Sequence, residues 1–230
     1  VDLPRAAYGV KSDEATYVAM TLSVAHDGNL SYERRDLERF WGLYQQGPEG
    51  IFLKRGKRIG VRVNRTPPYL HVTRQRDARA DRLYFAKSMS YALAAAPFVR
   101  VFGLNGFYVF HVLLLGSIGW CGYRFLRATS DAGPAMTFTV GFIGVSTMAL
   151  FGVFMMPDLF NAALVFLAYF LWLYKEVATP RLRLLRGWRA DVLAAALLAV
   201  ATYSKPTNAP LIAPLVLFWL WRRMWLRPWI

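Results

Sequence analysis

Residues 106–126 read GFYVFHVLLLGSIGWCGYRFL. No Asp, Glu, Lys or Arg interrupts this run before Arg124. A helix needs about 20 apolar residues to cross a bilayer, and this stretch supplies them. A second run, AMTFTVGFIGVSTMALFGVFMM at 135–156, carries no charge and is of similar length. Three shorter apolar segments follow at 159–174, 190–204 and 208–222. The expected fold class is therefore all-α, a polytopic α-helical membrane protein. Ser204-Lys205-Pro206-Thr207-Asn208 separates the last two segments. Pro206, Pro210 and Pro214 predict irregular helix geometry there, since proline removes a backbone donor.

Composition agrees. The chain is 56% hydrophobic yet holds 28 Lys and Arg against 14 Asp and Glu, a net charge of +14. Its mean hydropathy is positive. The basic residues flank the apolar runs, which fits membrane topology and anionic lipid, and no nucleic-acid partner is expected. The single cysteine, Cys121, rules out an internal disulfide and a cysteine metal site. His26, His71 and His111 have no ligand spacing.

Residues 1–105 differ in character. They hold 17 of the Lys and Arg and 10 of the acids. Two domains follow: 1–105, an extracytoplasmic loop region carrying interfacial amphipathic helices, and 106–230, a transmembrane helical region of about five apolar segments. Ser12-Asp13-Glu14-Ala15-Thr16-Tyr17 opens the first of these helices. Ser12 is placed to cap it, and Asp13 and Glu14 fall in the first turn, where the helix dipole favours negative charge. Tyr17, Met20 and Val24 share a face, and Asp27-Gly28-Asn29 is the expected stop. A second amphipathic helix is expected over 31–46, with Leu37, Phe40, Trp41 and Tyr44 on one face. Residues 51–65 alternate in part, predicting a short strand or hairpin around Gly56. Lys54, Arg55, Lys57 and Arg58 make a cationic cluster suited to a lipid phosphate or to a solvated surface. Residues 73–82 read as irregular or exposed. Residues 88–102 read as an interfacial or re-entrant helix.

Orientation follows from the basic loops. Arg124 and Arg127, then Lys175 to Arg189, then Arg222, Arg223 and Arg227 mark one side as cytoplasmic. Asp13, Glu14, Lys87, Asp158 and Lys205 are then expected on the outer side. The opening Val1-Asp2-Leu3-Pro4-Arg5 has no charged start or apolar run, so it is not expected to be a signal peptide.

Four stretches resemble the C-type (GT-C) membrane glycosyltransferases that use polyprenyl-phosphate sugars, in particular bacterial relatives of protein O-mannosyltransferases and aminoarabinose transferases. They are SDEATY at 12–17, RLYFAKSMSYALAAAPFVRVFG at 82–103, MPDLFNAALVFLAYFLWLY at 156–174, and LAVATYSKPTNAPLIAPLVL at 198–217. Lys87-Ser88-Met89 stands where the family often has Lys-Pro-Pro, and Ser204-Lys205-Pro206 where it often has Thr-Lys-Gly. The resemblance implies a first membrane helix ahead of SDEATY and further helices beyond Ile230, so that the chain reads as a piece of a longer protein in the cell (inner) membrane.

The resemblance also implies chemistry. A sugar moves from a polyprenyl-phosphate donor to a lipid, glycan or protein acceptor on the outer face of the membrane. The family's catalytic acid falls on Asp13, a general base for the acceptor. Glu14 would support it. Lys87, Lys205 and the 54–58 cluster would stabilise the leaving phosphate. Tyr17, Tyr84 and Tyr91 complete the aromatic setting, and Asp158 would orient a cation. A divalent metal is compatible with these acids, but the sequence requires no cofactor. Membrane lipid is the remaining partner. A transporter or lipid flippase is the alternative, and it would want ionisable residues near the bilayer midplane, where 106–123 and 135–156 have none. A membrane scaffold is the third reading, and it makes no demand for Asp13.

Overall fold

A computed structural model describes residues 10–44, 47–67, 69–76, 82–180, 182 and 185–226; for 57–61, 70, 74–76, 219 and 221–226 it describes the backbone alone. The chain is mostly helical, with nine α-helices among the described residues. It divides into two compact units, one ending at Gly106 and one starting at Phe107.

In the first unit, α1 (Ser12–Asp27) stops where the sequence says it should. Gly28 takes the left-handed conformation (φ 65°), and its N–H closes onto the Val24 carbonyl. The start differs from expectation. Ser12 makes no capping bond; it has φ 55°, and Lys11 precedes the helix. The Ser12 N–H is instead spent on the Glu49 carbonyl at 2.9 Å, beside a Lys11–Glu49 ion pair of 2.9 Å. Nor is α1 amphipathic. Residues 15–23 and Ala25 are all buried. On the face opposite Tyr17 and Met20, Ala15 and Ala19 are small enough for neighbours to close over it. The main neighbour is α3 (Ser90–Phe102), which packs on α1 and buries Ala92, Ala95 and Ala96.

The second expected helix is shorter than 31–46. Ser31–Tyr32 forms strand β1, and α2 covers Arg34–Leu43. Glu33 and Asp36 form a reciprocal capping box that fixes its start. Phe40 and Tyr44 are buried, but Trp41 is 54% exposed.

The all-α expectation covers the helical majority, and this unit adds strands. β2 (Leu53–Arg55) and β1 both pair antiparallel with β5 (Leu83–Phe85), giving the order β1-β5-β2. β3 (Lys57–Val63) and β4 (Leu70–Arg76) form a separate antiparallel hairpin. Its turn lies near Asn64, whose N–H bonds to the Tyr69 carbonyl, rather than at Gly56. Gly56 links β2 to β3 and bonds to the Arg82 carbonyl. Residues 73–76, expected to be irregular or exposed, belong to β4, with Thr73 exposed; 77–81 lie outside the described residues.

Three charged residues clamp the end of α1 to α2. Arg39 donates to both oxygens of Asp27, at 2.8 and 3.1 Å, and reaches Asp36 at 3.4 Å. The Arg39 hydrogen bond holds the Asp27 carboxyl below its ordinary range. Burial pushes Asp36 the other way. Arg100 on α3 donates to the Ala25 carbonyl at 2.8 Å, placing a cation at the C-terminus of α1.

The step from α3 into α4 (Asn105–Arg127) is tight. A Cβ on Gly106 would run into the backbone of Phe98 and Val99. Gly106→Ala should therefore cost about 1–3 kcal/mol, as overpacking does. Gly116→Ala, with open space at its Cβ, should not destabilise. Thermal melting of the two variants in lipid nanodiscs compares them; equal melting points would show that the turn relaxes freely.

In the second unit, α4 and α7 (Asp158–Val177) are long and apolar enough to cross a membrane. The expected span over 135–156 is broken. α5 (Ala132–Val145) ends at Ser146, which turns extended, and only the short α6 (Met148–Phe151) follows. The Ser146 hydroxyl donates to the Ile143 carbonyl and accepts from the Met148 N–H, competing with the helix ladder. His111 Nδ1 donates to the Gly152 carbonyl at 2.8 Å, satisfying a group that the break frees. Conversely, α7 outruns the apolar segment 159–174, because Lys175, Glu176 and Val177 continue the helix. α8 (Gly187–Ser204) packs on α7 through Ala168, Ala194 and Leu198. A 3₁₀ helix (Pro206–Ile212) leads into α9 (Ala213–Leu226), as the prolines predict.

Candidate functional site

Three segments meet at the start of α1. Thr16 Oγ1 donates to the Ser12 carbonyl and accepts from the Phe52 N–H, both at 3.0 Å. The Phe52 carbonyl in turn accepts from the Ala86 N–H at 2.9 Å. Pairing of β2 with β5 fixes the chain entering Lys87. The result places Lys87 Nζ 2.7 Å from Asp13 Oδ1 and 4.4 Å above the Phe52 ring. The Asp13 side chain is 43% exposed and that of Lys87 is 25% exposed, so the pair faces outward and is open to a ligand.

Other expected site residues fall around this pair in different ways. Glu14 is half-buried in the same first turn. Tyr17 and Tyr91 are buried and meet edge to face at 5.6 Å, joining α1 to α3 as packing partners. Tyr84 is half-buried and covers Gly56, where an added Cβ would stand 2.9 Å from its ring. Lys54 and Arg55 are exposed neighbours on β2, and strand alternation turns them to opposite faces. They do not form one cationic face. The side chains of Lys57 and Arg58 lie outside the described residues.

A second ion pair lies in the other unit. Lys205 Nζ, at the end of α8, is 2.7 Å from Asp158 Oδ1, at the start of α7. The same helix pair is bridged at its other end by Lys175 and Asp191. An apolar cavity of about 480 Å³ lies between α4, α5 and α7, lined by residues such as Gly122, Phe125, Phe142, Phe166 and Phe170. Its lining has no Asp, Glu, Lys, Arg or His, so it suits a hydrocarbon. Among the described residues, no group of three or more His, Cys, Asp or Glu is placed to hold a metal ion.

Sequence reasoning missed Phe52 and Glu49, which position the Asp13–Lys87 pair through backbone bonds, and the part played by the Thr16 hydroxyl. No local pattern marks such roles. No protein-family model, curated protein or solved structure matches this chain.

Proposed function

We propose that this chain is part of a C-type membrane glycosyltransferase that moves a sugar from a polyprenyl-phosphate donor to an acceptor at the outer membrane face. The observation carrying the reading is the Asp13–Lys87 pair, an acid and a cation side by side at an exposed helix start. Asp13 accepts the proton of the acceptor hydroxyl as its oxygen bonds to the anomeric carbon. The bond from that carbon to the phosphate oxygen breaks, and polyprenyl phosphate leaves with the electron pair. Lys87 stabilises the charge on the leaving phosphate. Phe52 below the ammonium keeps it oriented by a cation–π contact.

The membrane setting is part of the same proposal. Two helices meet the length and hydropathy of a span. α5, though too short to span, adds apolar surface of the same kind: Met136, Val140 and Val145 are exposed on it, Val145 at 90%. So large an apolar face is costly in water and natural in lipid. The expected orientation is tested by cysteine accessibility in a Cys121→Ala background. Thr66→Cys should label from outside and Trp188→Cys from inside; both positions are exposed. Labelling of both from one side would overturn the topology.

The direct test is transfer. Full-length protein in proteoliposomes, given a polyprenyl-phosphate sugar and an acceptor alcohol, should release polyprenyl phosphate and glycosylate the alcohol, or pass the sugar to water where no acceptor is added. No turnover with any donor sugar would reject the reading.

A further inference from the structure

The β3–β4 hairpin stands apart from the β1-β5-β2 sheet, and its two strands pair only with each other. Its register sorts its residues. Val61 stands opposite Val72 and Val63 opposite Leu70. Directly opposed residues share a face, as do residues two apart along a strand. Ile59, Val61, Val63, Leu70 and Val72 therefore occupy one face, at the end near the turn. Lys57, Arg74 and Arg76 continue that face at the other end. The opposite face carries Arg58, Gly60, Arg62, His71, Thr73 and Gln75, none of them a large apolar residue. The ribbon is amphipathic with the period of a strand.

Where its side chains are described, the apolar face is open. Val63 is 77% exposed and Val72 49%, and Tyr69 beside the turn is 64% exposed. A lone two-stranded hairpin is marginal in water and gains stability by laying such a face on something. Charge decides on what. Residues 57–76 hold six Lys and Arg and no Asp or Glu. A second copy would set like charges against like. An anionic bilayer offers apolar depth and phosphate together. The exposed Arg62 and Arg65 can lay their stems along lipid and keep their guanidinium groups among the phosphates. Depth is limited, because the open strand edges would leave backbone groups unpaired in hydrocarbon. The hairpin therefore suits the boundary between headgroups and acyl chains.

We propose that the β3–β4 hairpin lies on an anionic phospholipid surface, with the face of Val63 and Val72 turned into the lipid. This needs the chain to sit at a membrane and is indifferent to sugar transfer. The test places an environment-sensitive nitrobenzoxadiazole probe on single cysteines in the Cys121→Ala chain, in nanodiscs of phosphatidylcholine and phosphatidylglycerol. Val63→Cys and Val72→Cys report one face and His71→Cys the other. All three positions are exposed, so the substitutions leave the packed interior alone. Lipid carrying a nitroxide high on its acyl chain should quench the Val63 and Val72 probes and spare the His71 probe. In discs of phosphatidylcholine alone the docked-to-free ratio should fall about fivefold for each basic residue at the surface, about 1 kcal/mol apiece. Quenching at Val63 and Val72 should then sink to the level of His71. Equal quenching on both faces, or none on either, overturns the proposal. Blue-shifted emission at Val63 and Val72 without quenching assigns the face to a protein contact and overturns it too. Quenching that ignores phosphatidylglycerol removes the anionic partner. If the chain does not enter discs, the membrane reading falls, and the same probes read against added phosphatidylglycerol vesicles decide the hairpin.

Discussion

Asp13→Asn in the full-length protein should lower sugar transfer by about 10²–10⁴, the usual cost of losing a general base. An amide keeps the size of the carboxylate and still accepts a hydrogen bond, but it cannot take a proton at neutral pH. The structure adds a competing explanation, because Asp13 also holds Lys87 at 2.7 Å. Two further variants separate the roles. Lys87→Met removes the partner and leaves the carboxylate. If Asp13 only positions Lys87, the double variant should be no worse than Lys87→Met alone. If Asp13 is the base, the Asn variant should lose turnover with donor binding intact, and Lys87→Met should weaken donor binding as well. Folding should barely respond, since a solvent-open ion pair contributes at most about 1 kcal/mol. Glu14→Gln should cost less than Asp13→Asn. Full transfer by the Asn variant would reject Asp13 as base.

Much of this was legible because it depends on residue type and spacing. The stop at Gly28 follows from glycine's access to positive φ, and the 3₁₀ segment after Lys205 follows from its prolines. The start of α1 was misread because a capping serine and a bridging one look alike in sequence. Only the distant Glu49 decides between them. The break at Ser146 was hidden for a related reason. Hydropathy registers 135–156 as continuous, while the break comes from a hydroxyl competing for backbone groups. Charge misled in the opposite sense at Lys175 and Glu176, which end the apolar run without ending the helix. The pairing of Lys87 with Asp13 needed β5 to bring residue 87 back beside residue 13. No local pattern contains that step. Nothing local marks Arg39 either, because its partner Asp27 lies twelve positions away on another helix.

That clamp carries the largest expected stability effect. Arg39→Met should cost about 3 kcal/mol at neutral pH, near the low end for breaking a buried ion pair. The Asp27 side chain is 9% exposed and Asp36 is 2% exposed, so both carboxylates would keep their charge with little solvent to compensate. Arg35, 3.5 Å from Asp27, remains and limits the loss. A change of this size is a factor of roughly 100 in the folded to unfolded ratio. The pH dependence follows from Asp27, whose folded pKa is depressed by the Arg39 hydrogen bond. Its contribution is full above the unfolded pKa and fades as pH falls through the folded one. Asp36, raised by burial, acts oppositely: ionising it opposes folding as pH rises from the unfolded pKa through the folded one. Removing Arg39 deepens that penalty, so the variant should regain stability as pH falls into the window where Asp36 takes up a proton. Denaturation curves of native and variant chains should therefore lie far apart at pH 7 and draw together towards acid. A constant gap at every pH would assign the loss to packing of the Arg39 stem instead, and no gap at pH 7 would show that the clamp does not hold α1 to α2.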